Sequence, residues 1–182
     1  MKRLAFALAG MSAFALIMPT APAQASQSYE ARVTAAAASR SALADMYSTF
    51  GTAKVRPGRY LWRDVSDSAG PERVVISLDN QLAFLYKGDT LAAVASISTG
   101  SEGNESPSGV FQVLMKKPMH HSRKYDNAPM PWMQMITDYG VALHAGHNPG
   151  HPASHGCIRL PAAFAKKLYA ETDIGTPVLI GT

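Results

Sequence analysis

The stretch from Leu143 to Leu160 reads LHAGHNPGHPASHGCIRL and holds the single cysteine of the chain with four of its six histidines. An apolar run predicts a short strand over residues 141–143 that ends at His144. Pro161 is well placed to begin a helix, and residues 162–170 have helical composition. Glycines and prolines fill the loop between them. The stretch therefore places a reactive loop between a strand and a helix.

Short apolar runs separated by turn residues lie on either side of this stretch. They predict strands over residues 74–78, 82–86, 91–97, 110–115 and 177–180, with turns at Asp79-Asn80 and Lys87-Gly88-Asp89. Residues 116–139 contain four methionines, Trp132 and three prolines. This segment is too apolar for a solvated loop and too broken for a long helix. It either lines a binding groove or forms ordinary core.

The N-terminus has the three parts of a secretory leader. Lys2 and Arg3 precede an apolar stretch over residues 4–18, and Ala23-Gln24-Ala25 has the small-x-small form of a cleavage site. The apolar stretch is shorter than the roughly 20 residues of a membrane span, although an uncleaved anchor is the alternative. We expect a signal peptide over residues 1–25 and a linker or weakly helical extension over residues 26–70. The main domain is expected over residues 71–182.

Composition excludes several classes of protein. The net charge is +4, but two of the 17 basic residues, Lys2 and Arg3, belong to the predicted leader. The remaining basic residues are scattered and form no stripe with interleaved aromatics, so no nucleic-acid partner is expected. A single cysteine excludes an internal disulfide framework and a cysteine-rich zinc finger.

Two chemistries are compatible with the loop. In the first, Cys157 is a nucleophile, a neighbouring imidazole is its base, and the amides of Gly156 and Cys157 form an oxyanion hole. Arg159 would bind a substrate carboxylate or favour the thiolate. In the second, the spacing H-x₂-H-x₃-H-x₃-H-x-C binds zinc from an irregular loop.

Four blocks of the sequence together resemble one enzyme family. Ser154-His155-Gly156-Cys157-Ile158-Arg159 looks like the active-site signature of L,D-transpeptidases with the YkuD-type catalytic domain. Residues 141–146 resemble the strand-and-histidine block of that family. The stretches 98–100 with 106–111, and 128–133, resemble two further blocks, although residue 106 is Ser where the family often has Thr. This resemblance and the strand pattern predict a mainly β (α+β) fold, an antiparallel or mixed β-sandwich-like domain with one or two short helices.

The resemblance also implies roles for individual residues. Cys157 would be the nucleophile, His144 the general base, His155 an orienting residue and the Gly156 amide an oxyanion donor. Since the family typically orients its base with a backbone carbonyl, no acidic third member is required. His147 is a competing candidate for the base. Substrate contacts are expected from four residues: Arg159, Ser154, Trp132 and Met133. No metal or cofactor is expected.

The implied reaction is acyl transfer on peptidoglycan stem peptides through a cysteine thioester, with release of D-alanine. Such an enzyme takes part in peptidoglycan biosynthesis, and so in cell-wall organisation and cell shape. It is a carbapenem target. The acceptor would be a second stem peptide, an envelope protein, a D-amino acid or water, and water would make the enzyme an L,D-carboxypeptidase. The location expected is the periplasm. A zinc-dependent wall hydrolase and a wall-binding module without activity are the other hypotheses.

Overall fold

The computed structural model describes residues 25–66 and 69–182, so the predicted signal peptide lies outside the described residues except for Ala25. Two helices and ten strands follow in chain order: α1 Tyr29–Phe50, β1 Tyr60–Trp62, β2 Glu72–Ser77, β3 Leu82–Lys87, β4 Thr90–Ser96, β5 Gly109–Gln112, β6 Met115–His121, β7 Pro129–Met135, β8 Ala142–Ala145, β9 Ile158–Leu160, α2 Ala162–Glu171 and β10 Pro177–Gly181. Among the described residues, neither helix has the length and apolar character needed to cross a membrane.

The larger sheet has six strands in the order β1-β4-β3-β2-β10-β5. The predicted meander forms its centre, where β3 pairs antiparallel with both β2 and β4. Turns lie at both predicted positions, and Gly88 has a φ of 54° in the second of them. The last strand, β10, pairs parallel with β2 and antiparallel with β5. The C-terminal segment is therefore an interior strand of this sheet.

Both faces of the larger sheet are covered, which explains why its central strands are apolar without alternation. One set of alternate residues, including Val75, Phe84 and Val94, packs under Ala42 and Met46 of α1. The opposite set forms the main core with residues of the second sheet and of α2. A Cβ on Gly181 would lie 2.3 Å from the Ala35 carbonyl oxygen, so this glycine permits the close approach of β10 to α1.

The second sheet has four strands in the order β6-β7-β8-β9. The single strand predicted over residues 110–115 is wrong, because the chain leaves the six-stranded sheet after Gln112 and enters the second sheet at Met115. Most of the apolar, proline-containing segment after it forms a β6–β7 hairpin. Two mixed sheets packed on a shared core, with two helices, confirm the predicted mainly β fold class.

The helix of the N-terminal extension is part of the folded core, and this can be tested. Met46 is fully buried against the sheet, whereas its neighbour Tyr47 is 66% exposed. We expect Met46→Ala to lower the free energy of unfolding by about 2–5 kcal/mol because it leaves a cavity. Tyr47→Ala is the control and should change it by less than about 0.5 kcal/mol. Urea unfolding measures both, and equal effects of the two variants would contradict the packing.

Candidate active site

Two short parallel strands position the residues of the loop that holds Cys157. In the register of β8 and β9, His144 pairs with Arg159, and Leu143 pairs with Ile158. Leu143 and Ile158 belong to the main core. Because side chains alternate along a strand, His144 and Arg159 share the opposite face. Cys157 immediately precedes β9 and packs beside Ala142 of β8, so the thiol lies on the face that carries His144.

Cys157 is a free cysteine in an apolar setting. It packs against a small cluster that contains Met130, Met133 and Ala142, and its sulfur lies 3.8 Å from the Gly140 carbonyl oxygen. Burial, the largest influence, raises the pKa of the Cys157 thiol above its usual value. A hydrogen bond with the Ala142 backbone and the charge of Arg159 lower this pKa without offsetting burial. At neutral pH the resting side chain is therefore a thiol rather than a thiolate.

His144 has the complementary state. Burial, again the largest influence, lowers the pKa of its imidazole, and the nearby Arg159 charge lowers it further. A hydrogen bond between Nδ1 and the Ala145 carbonyl oxygen, 2.9 Å long, acts in the opposite direction. A carbonyl oxygen only accepts hydrogen bonds, so Nδ1 carries the proton and Nε2 has a free lone pair. A neutral imidazole in this tautomer is available to accept a proton.

The turn that presents Cys157 is held by the Ser154 hydroxyl. Ser154 Oγ donates to the Cys157 carbonyl oxygen at 2.5 Å and accepts from the Gly156 N–H at 3.1 Å. Ser154 is 2% exposed, so its hydroxyl shapes the turn from within. Gly156 has a φ of +109°, which favours glycine there. Because the Gly156 N–H already has an acceptor, its predicted oxyanion role competes with that bond, and the Cys157 N–H is the remaining predicted donor.

The loop that contains Gly100 and Ser106 is hydrogen-bonded to this turn. Ser106 Oγ donates to the Gly156 carbonyl oxygen at 2.8 Å and accepts from the Gly100 N–H at 3.0 Å. Ser98 and Arg159 exchange both of their backbone hydrogen bonds, at 3.0 and 2.9 Å. The stretches around residues 98–100 and 106 therefore brace the site without supplying reactive groups. Residues far apart in sequence converge here, and their spacing alone gave no signal of it.

The residues predicted to contact substrate fall into two groups. Met133 lies in the cluster beside Cys157, and Arg159 lies next to His144 with its stem against Gly146. Trp132 is directed elsewhere: its ring is 5.6 Å from that of Tyr169 on α2 and packs against the main core. A φ of 56° at Trp132 interrupts the alternation of β7. Of these residues, Arg159 is half-buried on the face that carries His144, whereas Met133 is only 1% exposed and packs against the thiol as part of the core.

The other histidines are dispersed around the site. His155 is exposed and its ring stacks on Tyr125 with a centroid distance of 4.3 Å, a contact that sequence reasoning missed. His147 lies beyond the end of β8, where it lines a cavity of about 440 Å³ with Arg59. His151 is exposed on the loop. Across residues 25–66 and 69–182, His, Cys, Asp and Glu side chains form no group of three able to hold a metal ion. The zinc hypothesis therefore has no ligand set in the described chain.

A change at Ser154 should loosen the turn. Ser154→Ala removes both hydrogen bonds of the hydroxyl and leaves buried polar groups unpaired, so we expect the free energy of unfolding to fall by about 1–3 kcal/mol. The rate of Cys157 alkylation should change as well, because the turn carries the thiol. Ser48→Ala, which removes an exposed hydroxyl of α1, should change neither property measurably. Unaltered unfolding in Ser154→Ala would contradict the role assigned to the hydroxyl.

The chain is a two-sheet β domain that carries a free thiol and a neutral imidazole on one face of two paired parallel strands. This combination defines a class of cysteine enzymes. A family model described as the L,D-transpeptidase catalytic domain, YkuD, matches residues 71–180. The match covers more than half of the chain, and the chain therefore belongs to this family.

Solved structures agree with the family assignment. An L,D-transpeptidase from Xylanimonas cellulosilytica is 27% identical, with a TM-score of 0.55, over 65% of this chain and 64% of that one. An L,D-transpeptidase from Stackebrandtia nassauensis is 24% identical, with a TM-score of 0.57, over 65% and 58%. L,D-transpeptidase 3 from Mycobacterium tuberculosis, with a faropenem-derived adduct, is 20% identical, with a TM-score of 0.56, over 62% and 60%. The chain thus spans about three fifths of these structures. No curated protein matches it.

Proposed function

We propose that the protein is an L,D-transpeptidase that acts on peptidoglycan stem peptides with Cys157 as nucleophile and His144 as general base. The observation that supports this most directly is that Cys157 and His144 lie on one face of β8 and β9, where burial raises the pKa of the thiol and lowers the pKa of the imidazole. A resting thiol needs a base at the moment of attack, and a neutral imidazole is such a base.

The first half of the reaction would form a thioester. As the Cys157 sulfur attacks the carbonyl between the third residue of the stem and its terminal D-alanine, the thiol proton passes to His144 Nε2. The tetrahedral oxyanion would be bound by the Cys157 N–H, joined by the Gly156 N–H if that group leaves Ser154. The C–N bond then breaks, and the imidazolium returns its proton to the departing amine of D-alanine. The products are an acyl-enzyme and free D-alanine.

The second half would resolve the thioester. An acceptor amine attacks the acyl carbon, His144 takes its proton, and the Cys157 sulfur leaves and is protonated again. A stem peptide as acceptor gives a 3→3 cross-link, an envelope protein gives an anchored protein, and a D-amino acid gives exchange. Water as acceptor gives L,D-carboxypeptidase activity by the same steps. His155, whose ring stacks on Tyr125, would act as an orienting residue of the site.

The setting of the reaction follows from the leader. Residues 1–25 are proposed to direct export and to be removed, so that the enzyme acts on the wall in the periplasm. Helix α1 and strand β1, which lie in the predicted extension over residues 26–70, pack onto the sheet of residues 71–182. We infer that the whole exported chain acts as one catalytic unit.

One experiment separates the possible reactions. Purified protein is incubated with tetrapeptide muropeptides, with and without an added D-amino acid, and the products are identified by mass spectrometry. Transpeptidation predicts release of D-alanine together with dimers or exchanged stems. Tripeptides as the sole product would identify a carboxypeptidase, and intact substrate under all conditions would overturn the proposal.

A further inference from the structure

The positive charge of the chain after residue 25 is concentrated in the β6–β7 hairpin. Residues 115–135, here called the cationic hairpin, contain four basic side chains and one acidic one, Asp126. The remaining residues from 26 onwards contain 11 basic and 12 acidic side chains. Outside the cationic hairpin the exported chain is thus close to neutral, and the charge of the hairpin needs a separate explanation.

Most of this charge is not neutralised within the protein. Lys116 is the exception, since its ammonium lies 3.9 Å from the Asp173 carboxylate and also donates to the carbonyl oxygens of Tyr169 and Thr172. In the described chain, no carboxylate forms an ion pair with Lys117, Arg123 or Lys124, all three of which are exposed. Unpaired cations held together on one element indicate a surface for a negatively charged ligand.

Lys117 and Arg123 both lie close enough to His120 to affect its titration. The pKa of the neighbouring His120 is lowered first by burial and then by the charges of Lys117, Arg123 and His121. No acidic group contributes to this shift. The strand that carries them, β6, lies at the edge of its sheet, and residues 115–121 are mostly exposed. The outer face of the cationic hairpin is therefore open to a ligand.

The cationic hairpin is also attached to the active site. At its tip, Tyr125 stacks on His155, two residues from Cys157, and Lys124 lies over the Tyr125 ring at 5.2 Å. Along its second strand, β7, Met130 and Met133 pack with Cys157. A ligand held by Lys117, Arg123 and Lys124 would therefore lie beside the reacting thiol.

We propose that the cationic hairpin binds free carboxylates of the stem peptide, so that the enzyme selects stems with free carboxylates over stems in which these are amidated. This inference rests on the proposed function, in which a stem peptide occupies Cys157. Charge complementarity favours the stem peptide over other anionic ligands, because a stem bound at Cys157 brings its carboxylates next to the cationic hairpin. Exposed ion pairs act in water, so the selectivity is moderate and sensitive to salt.

Binding is measured on the full chain with Cys157→Ala, so that it does not depend on turnover. A fluorescent tetrapeptide stem with free carboxylates should bind about tenfold more tightly than its amidated form at low ionic strength, a preference that about 0.5 M salt largely removes. The variant K117Q/R123Q/K124Q should lose this preference. The matched control R32Q/R40Q/K54Q removes three exposed charges from and beside α1 and should retain it. Thermal unfolding of both variants checks that the fold is unchanged.

The outcomes distinguish this inference from the proposed function. Equal binding of the two stems, or equal loss of preference in both variants, overturns the inference even if the enzyme is an active transpeptidase. If the stems bind selectively but the unmodified protein, with Cys157 intact, does not turn them over, the role of the cationic hairpin is supported and the proposed reaction is contradicted. Vesicles with anionic lipids are a further arm. If they bind through the same three cations while the stems do not, the surface is a membrane contact and the inference is wrong.

Discussion

Replacement of Cys157 by alanine is expected to lower the release of D-alanine from tetrapeptide stems by about 10³-fold or more. The thiol is the group that forms the proposed acyl-enzyme, and no other cysteine exists in the chain to replace it. The variant should fold normally, because alanine fits beside Met130 and Met133 without adding volume. The measurement is the initial rate of D-alanine release, with urea unfolding as the check on folding.

A carbapenem gives an independent readout of the same residue. We expect one covalent adduct per chain on this protein, on the peptide that contains Cys157, and none on Cys157→Ala. Cys157→Ser is the informative second variant, since it replaces the thiol with a hydroxyl whose proton is far harder to remove. An adduct at another residue, or undiminished D-alanine release by Cys157→Ala, would contradict the nucleophile assignment.

Local sequence patterns predicted the strands of the larger sheet because each apolar run ends at its own turn. The turn at Lys87-Gly88-Asp89 is an example, since Gly88 supplies the positive φ that the turn needs. The division of residues 110–115 between two sheets was not predictable in this way. Gln112 and Met115 are equally suited to one continuous strand, and only the packing of the two sheets separates them. Likewise, composition left α1 undecided, because the burial of Ala42 and Met46 against the sheet is a long-range contact that composition does not reveal.

At the site, the residue types predicted the chemistry, but they did not predict which residues contact one another. A lone thiol near histidines indicated a nucleophile and a base, and the structure places Cys157 and His144 on one face. The structure gives Ser154 a bracing position and directs Trp132 toward α2, neither of which follows from residue type. The stack of Tyr125 on His155 joins residues 30 positions apart and depends on how the cationic hairpin folds. Such long-range contacts leave no periodic signal in a single sequence.

His144→Ala is expected to lower the acylation rate by about 10²–10⁴-fold at neutral pH, because burial keeps the Cys157 thiol protonated and the base is lost. His151→Ala removes an exposed histidine of the same loop and should retain normal activity. Added imidazole should partly restore the His144→Ala rate by acting as an external base. If His147 were the base instead, His147→Ala would show the loss and His144→Ala would not.

The pH profile tests the same assignment through its sign. The pKa of His144 is lowered from its usual 6.5, so the imidazole stays neutral and the unmodified enzyme should keep its activity until the pH falls below 6.5. Activity is then lost as His144 becomes protonated. In His144→Ala this acid limb should vanish, and the remaining rate should rise with pH as the Cys157 thiol ionises. The thiol pKa lies above its usual 9.0, so this rise continues into alkaline solution. A rate of Cys157 alkylation by iodoacetamide that levels off near pH 7 would instead mean a resting thiolate, and His144 would then not be needed to remove the proton.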